Sequence, residues 1–372
     1  MKTPRLTRNV HADRASVSKA GVPDPAFHPS LPDFATTPLR SAPKAALRLG
    51  VRSVLVKDES HRLGMPSFKI LGASWATYCT IMAHLGLAVG AEPTLDRLRE
   101  AVTAQGSDLT LVAATDGNHG RAVARMAKLL GLGAIILVPA GTVDSRIDAI
   151  TGEGAEVRVV DGGYDEAIAA SAALSDGKHV VISDTSWEGY TDTPGWVIDG
   201  YSTMLKEVID EIEAGNVAEP TVVAAQMGVG AFAAAVTRQL ASRPARLLVG
   251  VEPTKADCII TSAEAGKITT IRQPQDSIMA GLNCGTPSII AWDDVLRGYD
   301  VFVTVTDDDA RDAMRLLHDD GIGAGESGAA GLAGLLAHAE GLGLGPQDDV
   351  IVFLTEGVTD PVAYRDIIGA GS

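Results

Sequence analysis

The sequence predicts an α/β protein of two domains, each a twisted, mainly parallel sheet flanked by helices. Three observations carry this. From about residue 66, short apolar runs of strand length alternate with stretches of helical periodicity, as the crossovers of a parallel sheet require. The 372 residues, 46% of them hydrophobic, are enough for two cores. Glycine is plentiful at 40 residues and aromatics make up only 4%, a balance that suits tight strand–helix turns better than a β-sandwich.

The elements follow in order. Pro66-Ser67 signals the start of a helix over 68–85. Strands are predicted over 108–115, 134–139, 156–161 and 179–183, and helices over 121–130, 143–151 and 165–174. A long helix over 197–214 ends at Gly215-Asn216 and Pro220, a natural hinge. The alternation then resumes with strands over 221–226 and 246–252 and a helix over 231–241. Residues 253–300 carry Pro253, Pro274 and Pro287 and read as loops over a site. A helix over 327–339 and a strand over 349–354 complete the pattern.

A net charge of −16 argues against a nucleic-acid groove, which needs clustered Lys and Arg. No apolar run approaches the roughly 20 residues of a membrane helix. The first 18 residues carry Lys2, Arg5, Arg8 and Arg14 without the apolar core of a secretory signal, and Asp13 counts against a transit peptide. They read as an extended arm on the first domain, and a cytoplasmic address follows by default. Three cysteines build no disulfide framework and show no metal-ligand spacing. Cys79 reads as core; Cys258 and Cys284 would be neighbours if both flank one pocket edge.

Three segments carry candidate chemistry. Gly228-Val229-Gly230-Ala231 follows a strand, opens a helix, and is followed by a strand ending in Glu252. That matches a dinucleotide fingerprint with its acid about 20 residues on. The same amides at a helix N-terminus also suit a single phosphate. A nicotinamide reading leaves two other segments without a task, and the turn lies past the middle of the chain. The first of these is Ser67-Phe68-Lys69, followed by the apolar run Ile70-Leu71-Gly72-Ala73. Most lysines are solvated surface charges; an apolar setting would lower the pKa of this one, as a Schiff-base lysine requires. The second is Asp116-Gly117-Asn118-His119-Gly120, where a strand gives way to a helix, the place where open α/β sheets bind ligands. Asp116 or Asn118 can cap that helix, and His119 alone reads as a hydrogen-bonded structural histidine. A lysine, a helix-start loop and a phosphate turn together suit pyridoxal phosphate.

These segments resemble the fold-type II pyridoxal-phosphate enzymes, a family that includes serine/threonine dehydratases, serine racemase and cysteine synthase. Asp184-Thr185-Ser186-Trp187-Glu188-Gly189-Tyr190, Pro194-Gly195-Trp196 and Gly200-Tyr201 look like blocks of its diaminopropionate ammonia-lyase branch. So do the run from Met279 to Ser288, Gly325-Glu326-Ser327-Gly328 and Thr355-Glu356-Gly357. The resemblance spans about residues 50 to 366. It implies a large cofactor-binding domain, 1–82 and 219–372, a small mobile domain, 83–218, that closes over substrate, and a homodimer. Lys69 would hold the cofactor beside Phe68, and Asn118 would bond the ring hydroxyl oxygen. The amides of Gly228, Val229, Gly230 and Ala231 would bind the phosphate, and Thr355 would face the pyridine nitrogen. Val229 and Ala231 replace glycines common in the family, a change the amides survive if φ is positive at Gly228 and Gly230. Some relatives bind a cation after a turn like Glu252-Pro253, but Cys258 stands at an acidic ligand position, so no metal is expected.

Asp116 takes a position that carries a small hydroxyl residue in the dehydratases and faces the substrate Cα in the racemase. The resemblance therefore implies α,β-elimination of ammonia from 2,3-diaminopropionate, with Lys69 and Asp116 as bases for opposite enantiomers. Asp116 and Asp184 would hold the substrate's β-ammonium. Thr355 would give the pyridine nitrogen a neutral partner. Trp187 and Tyr190 read as packing under a loop, with a place in the site as the alternative. A serine or threonine dehydratase, a nicotinamide dehydrogenase and a cofactor-binding sensor remain as rival readings at this point.

Overall fold

The computed structural model describes residues 3–89, 92–106, 108–115, 117–272 and 274–369. In chain order the elements are β1 (Leu6–Arg8), β2 (Leu39–Ser41), α1 (Pro43–Leu49), β3 (Ser53–Asp58), α2 (Lys69–His84), α3 (Leu95–Ala104), β4 (Thr110–Ala114) and α4 (Asn118–Leu130). Then come β5 (Gly133–Pro139), α5 (Asp144–Thr151), β6 (Glu156–Val160), α6 (Tyr164–Ala173), β7 (His179–Val181) and α7 (Asp192–Glu213). The rest are β8 (Val222–Gln226), α8 (Ala231–Leu240), β9 (Leu247–Pro253), α9 (Cys258–Ala265), α10 (Ile289–Gly298), β10 (Val301–Val305), α11 (Asp307–Asp319), α12 (Glu326–Leu342), β11 (Asp349–Leu354) and α13 (Pro361–Ile368). No helix among the described residues is long and apolar enough to cross a membrane.

Contacts divide the described chain into two units, the first within 1–20, 36–61 and 204–372, the second within 21–35 and 62–203. The first holds a seven-stranded sheet in the order β1-β10-β9-β8-β11-β3-β2. Its five inner strands are parallel, and β1 and β2 close the edges antiparallel. Strands β8 to β11 are buried throughout, as expected of parallel strands covered on both faces. The N-terminal arm is thus a strand, and Arg5 ties it down through Asp257 at 2.6 Å and Glu264 at 2.7 Å. The second unit holds a parallel four-stranded sheet, β6-β5-β4-β7.

The domain boundary read from the sequence moves. Residues 62–82 fall in the second unit because α2 packs on α4 and α3, contacts far apart in sequence. Within that unit α2 also meets the first half of α7. A Cβ on Gly200 would lie 2.5 Å from the Leu71 carbonyl oxygen and 2.7 Å from the Gly72 Cα. The two helices approach backbone to backbone, and this crossing sets the axis of the helix that begins with Lys69. Helix α7 begins at Asp192 rather than Val197, with Pro194 in its first turn, where a missing N–H costs nothing.

Residues 253–300 are not simply loops. They contain α9 and α10, and α9 is capped from outside its own sequence: both Glu252 carboxylate oxygens accept at 2.8 Å, from the amides of Ile259 and Ile260. β2, α1, β3, α3, β10, α11 and α13 are further elements beyond those the sequence predicts. For α11 a local signal existed, since Thr306 and Asp309 form a capping box directly after the apolar strand β10.

Gly200→Ala is expected to destabilise the protein by about 1–3 kcal/mol through overpacking, although helix propensity alone favours alanine by about 1 kcal/mol. Denaturant midpoints of the two proteins decide between these signs.

Candidate active site

In the second unit three strand ends converge on one carboxylate. Asp184 follows β7 and is buried. Lys69, at the first position of α2, donates from Nζ to Asp184 Oδ2 at 2.6 Å. Tyr164, opening α6 after β6, donates its hydroxyl to Asp184 Oδ1 at 2.8 Å. His119, in the first turn of α4 after β4, brings Nδ1 to 4.0 Å from Oδ2. The His119 Nε2 lies 2.8 Å from the Ile182 carbonyl. A carbonyl only accepts, so Nε2 carries the proton and Nδ1 the lone pair. Burial lowers the His119 pKa, against the pull of Asp184, so the ring is neutral and structural. For Asp184, burial works to raise the pKa, but the charges of Lys69 and His119 and the hydrogen bonds from Lys69 and Tyr164 hold it far below the usual carboxylate range.

Lys69 is therefore not in the wholly apolar setting its neighbours suggested. The Phe68 ring lies 5.6 Å from its Nζ, but its nearest charge is a carboxylate. Gly117 has φ +151°, which only glycine adopts readily, and so turns the chain from β4 into α4. Asn118 begins α4 half-buried, and its side chain has no hydrogen-bond partner among the described residues. Asp116 lies outside the described residues. Trp187 and Tyr190 stack at 4.2 Å, and the Tyr190 hydroxyl donates to the Val181 carbonyl and accepts from the Ser183 amide. Burial raises the pKa of that hydroxyl to about 12. Packing, not chemistry, accounts for both rings.

In the first unit the loop from β8 to α8 leaves donors uncommitted. Among the described residues the amides of Val229, Gly230 and Ala231 find no acceptor. Only Gly230, with φ +98°, takes the left-handed conformation expected of both glycines. Gly228 answers to space instead: a Cβ there would lie 3.2 Å from both Cys284 Sγ and the Gly281 carbonyl oxygen. Cys258 and Cys284 both border Gly228, and no disulfide joins them. Thr355 follows β11, buried, and receives a hydrogen bond at 2.6 Å from Gln226 Nε2 at the end of β8.

A family model for pyridoxal-phosphate dependent enzymes matches residues 31–356. The chain belongs to that family. It is 37% identical to the diaminopropionate ammonia-lyase of Escherichia coli (strain K12) over 364 residues, 93% of this chain and 90% of that protein. Its fold is similar to the crystal structure of the Escherichia coli enzyme in complex with D-serine, with a TM-score of 0.89, 33% identity and coverage of 100% and 98% of the two chains. It is also similar to the structure of that enzyme in complex with an aminoacrylate-PLP azomethine reaction intermediate, with a TM-score of 0.87, 33% identity and the same coverage.

The residues present fit the family's cofactor. The second unit offers the primary amine of Lys69 and an uncommitted amide on Asn118; the first offers three unspent backbone donors at a helix N-terminus, the place a phosphate favours. The nicotinamide alternative falls with the family match, and its ribose-binding acid is otherwise employed. Glu252 is spent on α9, and burial pushes its carboxyl up to about 8 against the two amides it accepts. Among the described residues no three His, Cys, Asp or Glu side chains are grouped to hold a metal ion. Tyr164 and Gln226 escaped the sequence reading: neither belongs to a motif, and only the strand ends bring them to Asp184 and Thr355.

The folded-state pKa of Asp184 lies below the unfolded value of about 3.9. Its ion pair thus stabilises above that pH, and the contribution is lost as pH falls through the folded value. Asp184→Asn is expected to cost the cofactor-free protein roughly 3–5 kcal/mol near neutral pH. Denaturant titrations should show the gap to the parent narrowing as pH drops below about 4.

Proposed function

We propose that this chain is a pyridoxal-phosphate lyase that eliminates ammonia from 2,3-diaminopropionate, of both D and L form. The released enamine hydrolyses to pyruvate and a second ammonia. One observation carries the choice of substrate: Asp184 is a buried, ionised carboxylate that binds an ammonium, that of Lys69, at 2.6 Å. While the Lys69 nitrogen serves the cofactor or acts as a neutral base, the carboxylate lacks its cation, and an unpaired buried charge is costly. The β-ammonium of diaminopropionate supplies it; the hydroxyl of serine or threonine does not. A protonated amine then leaves as ammonia with no separate acid. The identity to the Escherichia coli enzyme over nearly the whole chain supports the same reading.

When bound, the cofactor withdraws electrons from the substrate Cα. The chain's own residues do the rest. Lys69 and Phe68 hold the cofactor's reactive end, Asn118 donates to its ring hydroxyl oxygen, and the amides of Gly228, Val229, Gly230 and Ala231 take its phosphate. Thr355 meets the pyridine nitrogen. Lys69 removes the Cα proton of one enantiomer, and Asp116 that of the other. Tyr164 fixes the Asp184 carboxylate so that its second oxygen faces the cation.

The absorption spectrum of the purified holoenzyme should show a visible cofactor band that shifts on adding D,L-2,3-diaminopropionate, with pyruvate formed in the same cuvette. Asp184→Asn should lower kcat/KM for diaminopropionate by on the order of a hundredfold or more, the loss expected when a buried charge partner is removed, and lower serine turnover far less. Equal losses on both substrates would point to a dehydratase. Asp116→Asn should abolish turnover of one enantiomer and spare the other; equal loss of both removes the case for two bases.

A further inference from the structure

Gln226 has no place in the scheme above, yet its side chain is built into the end of the first unit's sheet. It is 2% exposed. Its Nε2 lies 2.6 Å from Thr355 Oγ1, 2.9 Å from the Phe353 carbonyl, 3.2 Å from that of Ser327 and 3.5 Å from that of Gly328. The three carbonyls fix the amide's orientation, since the flipped group would set its oxygen against theirs. Gly331 leaves room for this: a Cβ there would come within 3.0 Å of Gln226 Oε1.

An amide nitrogen donates and never accepts. Thr355 Oγ1 must therefore accept from Gln226, and its own proton has to go elsewhere. Among the described residues that proton finds no acceptor, and Thr355 is 4% exposed. We infer that Gln226 is a positioning residue that makes the Thr355 hydroxyl an obligatory donor and thereby keeps the ring nitrogen it meets unprotonated. The inference rests on the proposed role of Thr355. A protonated nitrogen could reach the remaining lone pair of Oγ1 only by leaving the buried hydroxyl proton unsatisfied. An unprotonated nitrogen accepts that proton directly. The consequence is a ring held to weak electron withdrawal, enough for an elimination whose leaving group departs at once, by a residue that does not itself touch the cofactor.

Holoenzyme loaded with 15N-labelled pyridoxal phosphate tests this through the ring-nitrogen resonance as a function of pH. Gln226→Leu removes the donor. Gln226→Met keeps the length of the side chain but offers no donor. Both should raise the midpoint of ring protonation by about one pH unit, a tenfold change, the size of one hydrogen bond. Thr355→Val should move it in the same direction. If Gln226→Leu does not fold, the similarly long Gln226→Met carries the test. Parent-like titration in the Gln226 variants, with Thr355→Val shifted, would overturn the role of Gln226 and leave that of Thr355 standing. A parent-like Thr355→Val would remove the Thr355 role and this inference with it.

Discussion

A carboxylate that stays ionised out of water needs a cation beside it, and the arrangement around Asp184 answers to that requirement. Lys69 reaches it because α2 starts at that residue and is held in place by its backbone-close crossing with α7 at Gly72 and Gly200. Tyr164 reaches the other oxygen because α6 opens where β6 ends. His119 is kept neutral by burial and turned by the Ile182 carbonyl, so it adds shape without a competing charge. The ion pair is also chemically provisional. On the proposed reading, a reaction that engages the lysine nitrogen leaves Asp184 without its cation, and a cationic substrate would restore the pairing.

The first unit works by the opposite device. It holds donors without acceptors: three amides at the start of α8, and a Thr355 proton displaced by Gln226. Unspent donors in a buried place cost free energy until an anion or a lone pair meets them. Their location follows from topology, since parallel strands put the loops that follow them at one edge of the sheet. β8 and β11 are neighbours in that sheet, so a glutamine ending one and a threonine following the other become partners across 129 residues of chain.

Glu252 shows how one residue can satisfy a motif and serve another purpose. Its spacing from the glycine turn matches a ribose-binding acid, yet its two oxygens cap α9. The motif was real as local geometry, a strand, a tight turn and a helix N-terminus; its ligand was not written in it.

Much was legible from residues alone. The alternation of strand and helix, the helix at Lys69, the turn at Gly117 and the helix N-terminus after Gly230 all follow from periodicity and from backbone conformations that few residues adopt. The family, too, was legible, because its motifs are local strings. The sequence did not yield the boundary between the units, the helices within 253–300, or the roles of Tyr164 and Gln226. Each depends on groups distant in the chain: α2 on α4, Glu252 on the amides of α9, a phenol on a carboxylate 20 residues on, an amide on a hydroxyl at the end of a neighbouring strand. Local propensity fixes what a segment can form. Which polar groups must satisfy one another is decided only once burial has removed water as the alternative partner.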